Sequence, residues 1–470
     1  MIKKLFCLIT MAILISAFGV SAFANSAQAY WAGESTSALI SKDEKSPLEV
    51  KNEVLTFDLN EFPKSNYKNI DEFLNYSGKV TAQYTIHNPS NEAITSKLAF
   101  PFGTLPGYDF SEEFEYSELP NRYDSLYNIT VNDVTVEKKL RHTFSYGFGT
   151  FDYKEDPKNI CDSFKKDEFY SPNMPVKVYV YETSGIPEEF SGEAYASALF
   201  SVDADNTRIL LADCTNYDHK NYKTTEAGLY VENALSFTMY VIGDDIKELP
   251  DWKVYSDVSQ EVETDAEVKL LFTDNWTFEE VALMFHGADS GVSETDWYNA
   301  AIDKLNNLNF YTGFLGSDLE LMLSGSLMQW FEYEITLKAG ETIKNTVTAP
   351  IYPTINYNFT PTIYDYTYLI SPSKSWSSFG KIDVIVNTPY YITECNLGDF
   401  KKAENGYTLT IDKLADEELF FSLSTAQKPK IDSSFTLDTL HIMLIAYAAL
   451  ISVVVIIILI ILKARKKKRK

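Results

Sequence analysis

The stretch Val80–Phe100 reads VTAQYTIHNPSNEAITSKLAF, and its pattern decides the fold class. Apolar and polar residues alternate from Val80 to Ile86, which is the period of a half-buried β-strand. The turn-forming residues Asn88-Pro89-Ser90-Asn91 follow, and a second strand pattern runs from Ile94 to Phe100. We therefore expect an antiparallel hairpin with one apolar face.

The same alternation recurs along the chain, whereas helical spacing is rare. The pair Asn132-Asp133, between two β-branched runs, predicts a tight hairpin turn, and Asn405-Gly406 is a turn signal before another predicted strand. Recurrent short strands with few helices indicate antiparallel sandwiches rather than a parallel α/β sheet. The predicted strands cover residues 127–131, 134–136, 176–181, 208–211, 333–348, 382–386, 407–411 and 419–423.

One segment, residues 294–309, has the spacing of a helix. Apolar residues recur on one face of it from Trp297, and Ser293 with Asp296 resembles an N-terminal capping box. We expect the apolar stripe to pack in the core.

The sequence predicts a mainly β protein with two antiparallel β-sandwich domains and one C-terminal transmembrane helix. The first domain, residues 30–245, carries loop insertions, and the second, residues 246–425, carries the helix as an insertion. A polar segment at residues 426–438 is predicted to link the second domain to the membrane.

Residues 1–29 have the features of a secretory signal peptide: two cations, an apolar run and small-residue cleavage sites. Cleavage after Ala29 is slightly preferred to cleavage after Ala24. An uncleaved N-terminal anchor is the alternative, although the apolar run is short for a membrane span.

The C-terminal region predicts a transmembrane helix at residues 439–462. The part from Ile442 to Leu462 carries no charge and, at 1.5 Å per residue, spans about 31 Å, which matches the hydrocarbon core of a bilayer. Seven cations follow within residues 463–470, so the positive-inside rule makes this tail cytoplasmic, against the anionic inner leaflet. A buried core helix is the alternative. We expect a single-pass protein of the cell membrane with its N-terminal bulk outside.

The net charge of −25 argues against a nucleic-acid partner, because the phosphate backbone would be repelled. Nine of the 41 cations lie in the two terminal segments, so the region between them carries a formal charge of about −34. Calcium or another divalent cation could bridge such a surface to an anionic envelope polymer. The alternative is that the charge only keeps an exported surface soluble.

The cysteine content allows at most one disulfide in the mature chain. Once Cys7 is removed with the signal peptide, Cys161, Cys214 and Cys395 remain, an odd number. Cys161 and Cys214 are the candidate pair, because both lie in the irregular part of the first predicted domain.

No residue is assigned a catalytic, cofactor-binding or metal-binding role. The sequence contains no His-Glu-x-x-His, no Gly-x-Ser-x-Gly and no phosphate-binding glycine loop. Asp203-Ala204-Asp205-Asn206 resembles the start of a calcium loop, although an Asx turn is the simpler interpretation. The aromatic stretch Tyr352–Tyr368 could stack on sugar rings if exposed, or fill the core if buried.

Two stretches carry a resemblance. Val80–Gly103, with Tyr-Thr-Ile-His-Asn-Pro and Phe-Pro-Phe-Gly, resembles membrane-anchored surface proteins of Gram-positive bacteria. Tyr368–Pro389, with Leu369-Ile370-Ser371-Pro372, is similar to a family of exported β-sandwich domains of unknown function. The resemblance implies a layout of signal peptide, ectodomain and anchor, and it brings no activity with it.

Together these features predict a membrane-anchored extracellular protein that acts as a binding or structural module at the cell envelope, with a polymer or a protein as ligand. The alternative function is an anchored hydrolase of envelope glycans. A cleft with two convergent carboxylates beside stacked aromatic rings would distinguish the hydrolase from the binding module.

Overall fold

The structure is a computed structural model, and the part of the chain that it describes is mainly β, as the sequence predicts. Within that part, no helix is long and apolar enough to cross a membrane. The predicted signal peptide, transmembrane helix and basic tail lie outside the described residues. Those are residues 35–43, 45–64, 66–102, 109–110, 126–144, 152–287, 291–308, 312–317, 323 and 327–431.

The strands and helices fall into three consecutive groups along the described residues. The first group comprises β1 Ser35–Ser37, β2 Ile40–Ser41, β3 Glu49–Asp58, β4 Asn66–Tyr67, α1 Ile70–Leu74, β5 Lys79–His87, β6 Ile94–Phe102, β7 Asp109–Phe110, β8 Asn128–Val131, β9 Val134–Thr135 and β10 Lys139–Phe144. The second comprises β11 Pro175–Ser184, β12 Tyr195–Phe200, β13 Thr207–Leu211, β14 Asn216–Asn221, β15 Thr224–Tyr230, β16 Ser236–Gly243, β17 Lys253–Tyr255, β18 Glu267–Thr277, α2 Phe278–Met284 and α3 Glu294–Asn307. The third comprises β19 Leu327–Leu337, β20 Thr342–Pro350, β21 Thr354–Asn356, β22 Phe359–Thr360, β23 Ile363–Leu369, β24 Ser378–Asn387, β25 Tyr391–Cys395, β26 Lys401–Ala403, β27 Gly406–Ile411, β28 Leu419–Ser424 and β29 Lys430–Ile431.

Two large sheets, built from the first and third groups, share one hydrophobic core. Sheet 1 has the order β10-β19-β6-β1-β23-β28-β25, with β2 added beside β6 and β21 beside β23. Sheet 2 has the order β26-β27-β24-β3-β5-β20-β8-β9. Phe57 of sheet 2 contacts Phe421 of sheet 1 edge to face, with ring centroids 5.1 Å apart. The apolar faces of the two sheets therefore bury each other.

The stretch Val80–Phe100 forms two strands, as predicted, but the predicted hairpin is wrong. Strand β5 lies in sheet 2 between β3 and β20, whereas β6 lies in sheet 1 against β19. The turn after His87 therefore crosses from one sheet to the other, and the connection between β19 and β20 does the same. Alternation shows which face of a strand is buried but not which strand pairs with it.

The predicted division into residues 30–245 and 246–425 does not match the strand pairing. Strand β11 of the first half pairs along its length with β18 of the second, and β3 pairs in parallel with β24. The second group of elements instead forms two four-stranded sheets, β13-β16-β11-β18 and β14-β15-β12-β17. We call residues 152–317 the intervening segment, because they lie in sequence between β10 and β19, which are neighbours in sheet 1.

Several local predictions are confirmed. Asn132 and Asp133, with φ of 49° and 64°, form the two-residue turn between β8 and β9. Helix α3 begins after Ser293, whose hydroxyl accepts a hydrogen bond from the Asp296 N–H at 3.1 Å. One local prediction is corrected: within the predicted linker at 426–438, Lys430–Ile431 form strand β29, which pairs with β22.

Candidate functional site

The most informative concave surface lies at one end of sheet 2. This cleft has a volume of about 500 Å³ and is enclosed by the end of β3, the turn from β24 to β25 and the turn from β26 to β27. We call it the tyrosine cleft. It is lined by Asn60, Asn387, Thr388, Pro389, Tyr390, Tyr391, Lys402, Ala403, Glu404, Asn405, Gly406 and Tyr407.

Close backbone contact fixes the walls of the cleft. Gly406 has a φ of 151°, and a Cβ at this position would lie only 1.9 Å from the carbonyl oxygen of Val386. Only glycine therefore lets the turn approach the end of β24 so closely. The Thr388 N–H donates to the Asn405 carbonyl at 3.0 Å, which joins the two turns.

Ring stacking holds Tyr390 in place. Its ring stacks on Phe62 at 3.9 Å, and Phe62 stacks in turn on Tyr364 at 3.7 Å. The Tyr390 hydroxyl donates to the Asn60 carbonyl at 3.3 Å. Burial raises the pKa of both Tyr364 and Tyr390, so both hydroxyls stay protonated at neutral pH.

The remaining side chains of the cleft can recognise hydroxyl groups. Tyr391 is 41% exposed, so part of its ring is available to a ligand. Asn387 donates to Asp58 Oδ1 at 2.8 Å, which orients its amide. Amides both donate and accept hydrogen bonds, and aromatic rings offer a flat apolar face. Among the lining residues, Glu404 is the one carboxylate and Lys402 the one cation.

The aromatic stretch that the sequence singled out mostly fills the core. Tyr352, Tyr366 and Tyr368 are buried between the two large sheets, whereas Tyr357 is 59% exposed. Sequence reasoning missed the turn Asn387–Tyr391, which places two adjacent tyrosines after a proline between two predicted strands. This Pro-Tyr-Tyr motif was the sequence signal that could have identified the turn as part of a site.

The predicted disulfide between Cys161 and Cys214 is not present in the structure, where Cys161, Cys214 and Cys395 are free thiols. Cys161 follows Ile160, which packs in a small cluster with Trp330 of sheet 1. Cys214 packs instead against the core between the two small sheets of the intervening segment. Ile160, next to Cys161, and Cys214 thus belong to different hydrophobic clusters.

The candidate calcium loop forms a local turn. Asp203 accepts hydrogen bonds from the Asp205 N–H at 3.3 Å and from the Asn206 amide at 2.9 Å. Among the described residues, no three His, Cys, Asp or Glu side chains converge in a way that could hold a metal ion. The sequence also contains an acidic cluster, Glu112, Glu113, Glu115 and Glu118, which lies outside the described residues.

A second cleft, of about 320 Å³, is lined by four lysines around Trp376. Three of these lysines already have carboxylate partners, which offset much of their charge. The cleft is therefore a weaker candidate than the tyrosine cleft. The pairs are Lys42 with Glu332, Lys158 with Glu155 at 2.9 Å, and Lys374 with Asp416 at 3.1 Å.

Comparison with known proteins yields little. No protein-family model and no curated protein match the chain. One similar crystal structure is described as a "putative nutrient binding protein" from Legionella pneumophila subsp. pneumophila str. Philadelphia 1; it is 10% identical, over 83% of this chain and 70% of that chain. Its TM-score of 0.24 does not establish a shared fold. The resemblance to Gram-positive surface proteins stays a prediction from the sequence.

Proposed function

We propose that this protein is a non-catalytic surface protein that binds an envelope glycan in the tyrosine cleft. The observation that carries the proposal is the combination of exposed tyrosine and asparagine side chains in one cleft of about 500 Å³. This volume lies within the range of about 300–1,000 Å³ of small-molecule sites. Sugar rings stack on aromatic faces, and their hydroxyl groups pair with amides.

The carboxylate content of the cleft favours binding over hydrolysis. Glycoside hydrolysis uses two carboxyl groups about 5–10 Å apart, one as acid and one as base or nucleophile. The lining contributes Glu404 alone. The near-neutral lining also avoids the repulsion that the strongly acidic remainder of the chain would exert on an anionic polymer.

A binding experiment with the full chain in uncharged detergent micelles tests this proposal. The chain is incubated with purified cell-wall polysaccharide, and the retained fraction is measured for the wild type and for Tyr391→Ala and Tyr407→Ala. Each substitution removes one ring of the cleft, and we expect about tenfold weaker retention, which corresponds to about 1.4 kcal/mol.

The matched control is Tyr222→Ala, which removes a 70% exposed tyrosine on the intervening segment. This variant should be retained like the wild type. Equal weakening by Tyr222→Ala would contradict the assignment of the cleft. Release of soluble sugars over time would instead support the alternative hydrolase.

We also propose that the two large sheets form a β-sandwich held at the cell membrane by the helix at residues 439–462, with residues 1–29 removed on export. The uncharged stretch and the cationic tail after it support the anchor. N-terminal sequencing of the mature protein and fractionation of a chain ending at residue 438 test it. A truncated chain that still sediments with membranes would contradict the anchor.

A further inference from the structure

A groove of about 740 Å³ lies on the intervening segment, between the loop after β12 and the loop after β16. We call it the leucine groove. Two hydrogen bonds hold its two loops together: the Thr207 hydroxyl donates to the Asp244 carbonyl at 2.8 Å, and the Asp244 N–H donates to the Asn206 carbonyl at 2.9 Å. The groove is therefore part of the fold.

The walls of the groove expose large apolar side chains to solvent. Leu199 is 58% exposed and Leu249 is 51% exposed, and both line the groove above the buried residues Phe200 and Ile209. Single exposed leucines are common on protein surfaces, but apolar side chains grouped in one groove indicate an interaction site.

The rim of the groove is acidic. Five carboxylates line it against the single cation Lys247, and no ion pair of these five is found among the described residues. The Tyr179 hydroxyl donates to Asp245 Oδ1 at 2.6 Å, which fixes that carboxylate. The five are Asp203, Asp244, Asp245, Glu248 and Asp251.

We propose that the leucine groove binds a short amphipathic segment of a partner protein, in which apolar residues alternate with lysine or arginine. The apolar side chains of that segment would bury Leu199 and Leu249, and its cations would pair with the acidic rim. This combination is the recognition mode of grooves that take basic amphipathic peptides. An acidic segment would be repelled. The inference does not depend on the glycan site.

The probe for this proposal is a fluorescein-labelled twelve-residue peptide of leucine and lysine, titrated into the full chain in uncharged micelles and followed by anisotropy, with empty micelles subtracted. Peptides of leucine with glutamate and of serine with lysine are the comparison probes. Leu249→Ser and the pair Glu248→Gln with Asp251→Asn should each weaken binding of the leucine–lysine peptide by about tenfold.

The matched controls are Leu235→Ser, at a leucine 38% exposed, and the pair Asp412→Asn with Glu417→Gln, at exposed carboxylates of the loop between β27 and β28. These should bind within about twofold of the wild type. The proposal would be overturned if the groove and control variants weakened binding equally, or if the serine–lysine peptide bound as tightly as the leucine–lysine peptide. Either result would show general attraction of cations to an acidic chain. Tighter probe binding after removal of residues 463–470 would overturn it too, because the basic tail would then be the occupant.

Discussion

Asp296 and Arg141 form a buried ion pair between helix α3 and strand β10. Nε and Nη2 of Arg141 donate to Oδ1 of Asp296 at 3.1 and 2.8 Å, and both residues are 1% exposed. The sequence suggested that Asp296 completes a capping box with Ser293. Ser293 does cap the helix, but the Asp296 carboxylate accepts from Arg141 and from the His142 N–H at 2.9 Å. This ion pair therefore links the intervening segment, through α3, to strand β10 of sheet 1.

Neighbouring carboxylates keep the buried Arg141 guanidinium protonated. Burial by itself lowers the pKa of Arg141, but the hydrogen bonds and charges of Asp296 and Glu332 raise it above its ordinary value. Glu332 Oε2 accepts from Arg141 Nη1 at 2.8 Å. Asp162 Oδ1 accepts from the same nitrogen at 2.9 Å, so three carboxylates compensate the charge of this buried guanidinium.

The variant Asp296→Ala should lower the free energy of unfolding by about 3–5 kcal/mol, because it removes the most deeply buried carboxylate partner of Arg141. Urea denaturation of the full chain, followed by tryptophan fluorescence, measures the loss. The control Glu294→Ala removes an exposed carboxylate from the first turn of the same helix and should cost at most about 1 kcal/mol. Similar losses in the two variants would show that the ion pair adds no stability.

Asn88 joins the two connections that cross between the large sheets. Its amide donates to the carbonyls of Glu92, Leu337 and Lys338 at 2.7, 3.2 and 3.0 Å, and the residue is fully buried. Asn88→Ala leaves buried carbonyl groups unsatisfied, so we expect a loss of about 1–3 kcal/mol in the same urea assay. Asn91→Ala, in the same turn but exposed, should leave the midpoint unchanged. The role of Asn88 would be refuted if both variants had wild-type midpoints.

All three cysteines of the described residues should be recovered as free thiols, without a disulfide. Burial raises the pKa of Cys214 to about 11, so near pH 8 only about one thiol in a thousand is ionised. We expect Cys214 to react slowly with iodoacetamide in the folded chain and rapidly in urea, as followed by mass spectrometry of its peptide. A non-reduced peptide that joins Cys161 to Cys214 would restore the disulfide predicted from the sequence.

The sequence specifies strands better than it specifies their partners. A two-residue period shows directly which side chains face inward, and the left-handed conformations of Asn132 and Asp133 favour these residue types. The pairing of β5 with β20 joins Tyr84 to Asn345, more than 250 positions away. No local pattern encodes such a distance, so the hairpin predicted at Asn88 was wrong, and the pairing of β11 with β18 crosses the predicted boundary at residue 245.

The candidate site shows the same limit. Asn60 and Tyr390 lie in separate turns and Tyr407 lies at the start of β27, and only the order of strands in sheet 2 brings these three residues together. The alternation of apolar and polar residues in β3 does indicate a buried carboxyl group, which the sequence analysis did not identify. In β3, Glu53 shares the inward-facing period of Leu55 and Phe57, which places a carboxyl group in the core.

Glu53 is fully buried between the two large sheets. Its Oε1 accepts from the Tyr368 hydroxyl at 3.3 Å, and its Oε2 has no hydrogen-bond partner among the described residues. Burial raises the pKa of Glu53 from 4.5 to about 7, although hydrogen bonds from Tyr84 and Tyr368 work in the opposite direction. The favourable contribution of this protonated carboxyl is fully present below about pH 4.5 and is lost as the pH rises through about 7.

Replacing Glu53 by glutamine should therefore remove a pH dependence of stability. The amide stays neutral, so the stability of Glu53→Gln relative to the wild type should increase by on the order of 2 kcal/mol between about pH 5 and about pH 8. His142, whose pKa burial lowers to about 4, loses its contribution as the pH falls, which is the opposite slope. Because both proteins contain His142, the difference between their urea unfolding curves isolates Glu53. The control is the exposed Glu92→Gln. If this control shows the same change in relative stability, or if the stability difference for Glu53→Gln stays constant from about pH 5 to about pH 8, then Glu53 does not titrate in this range.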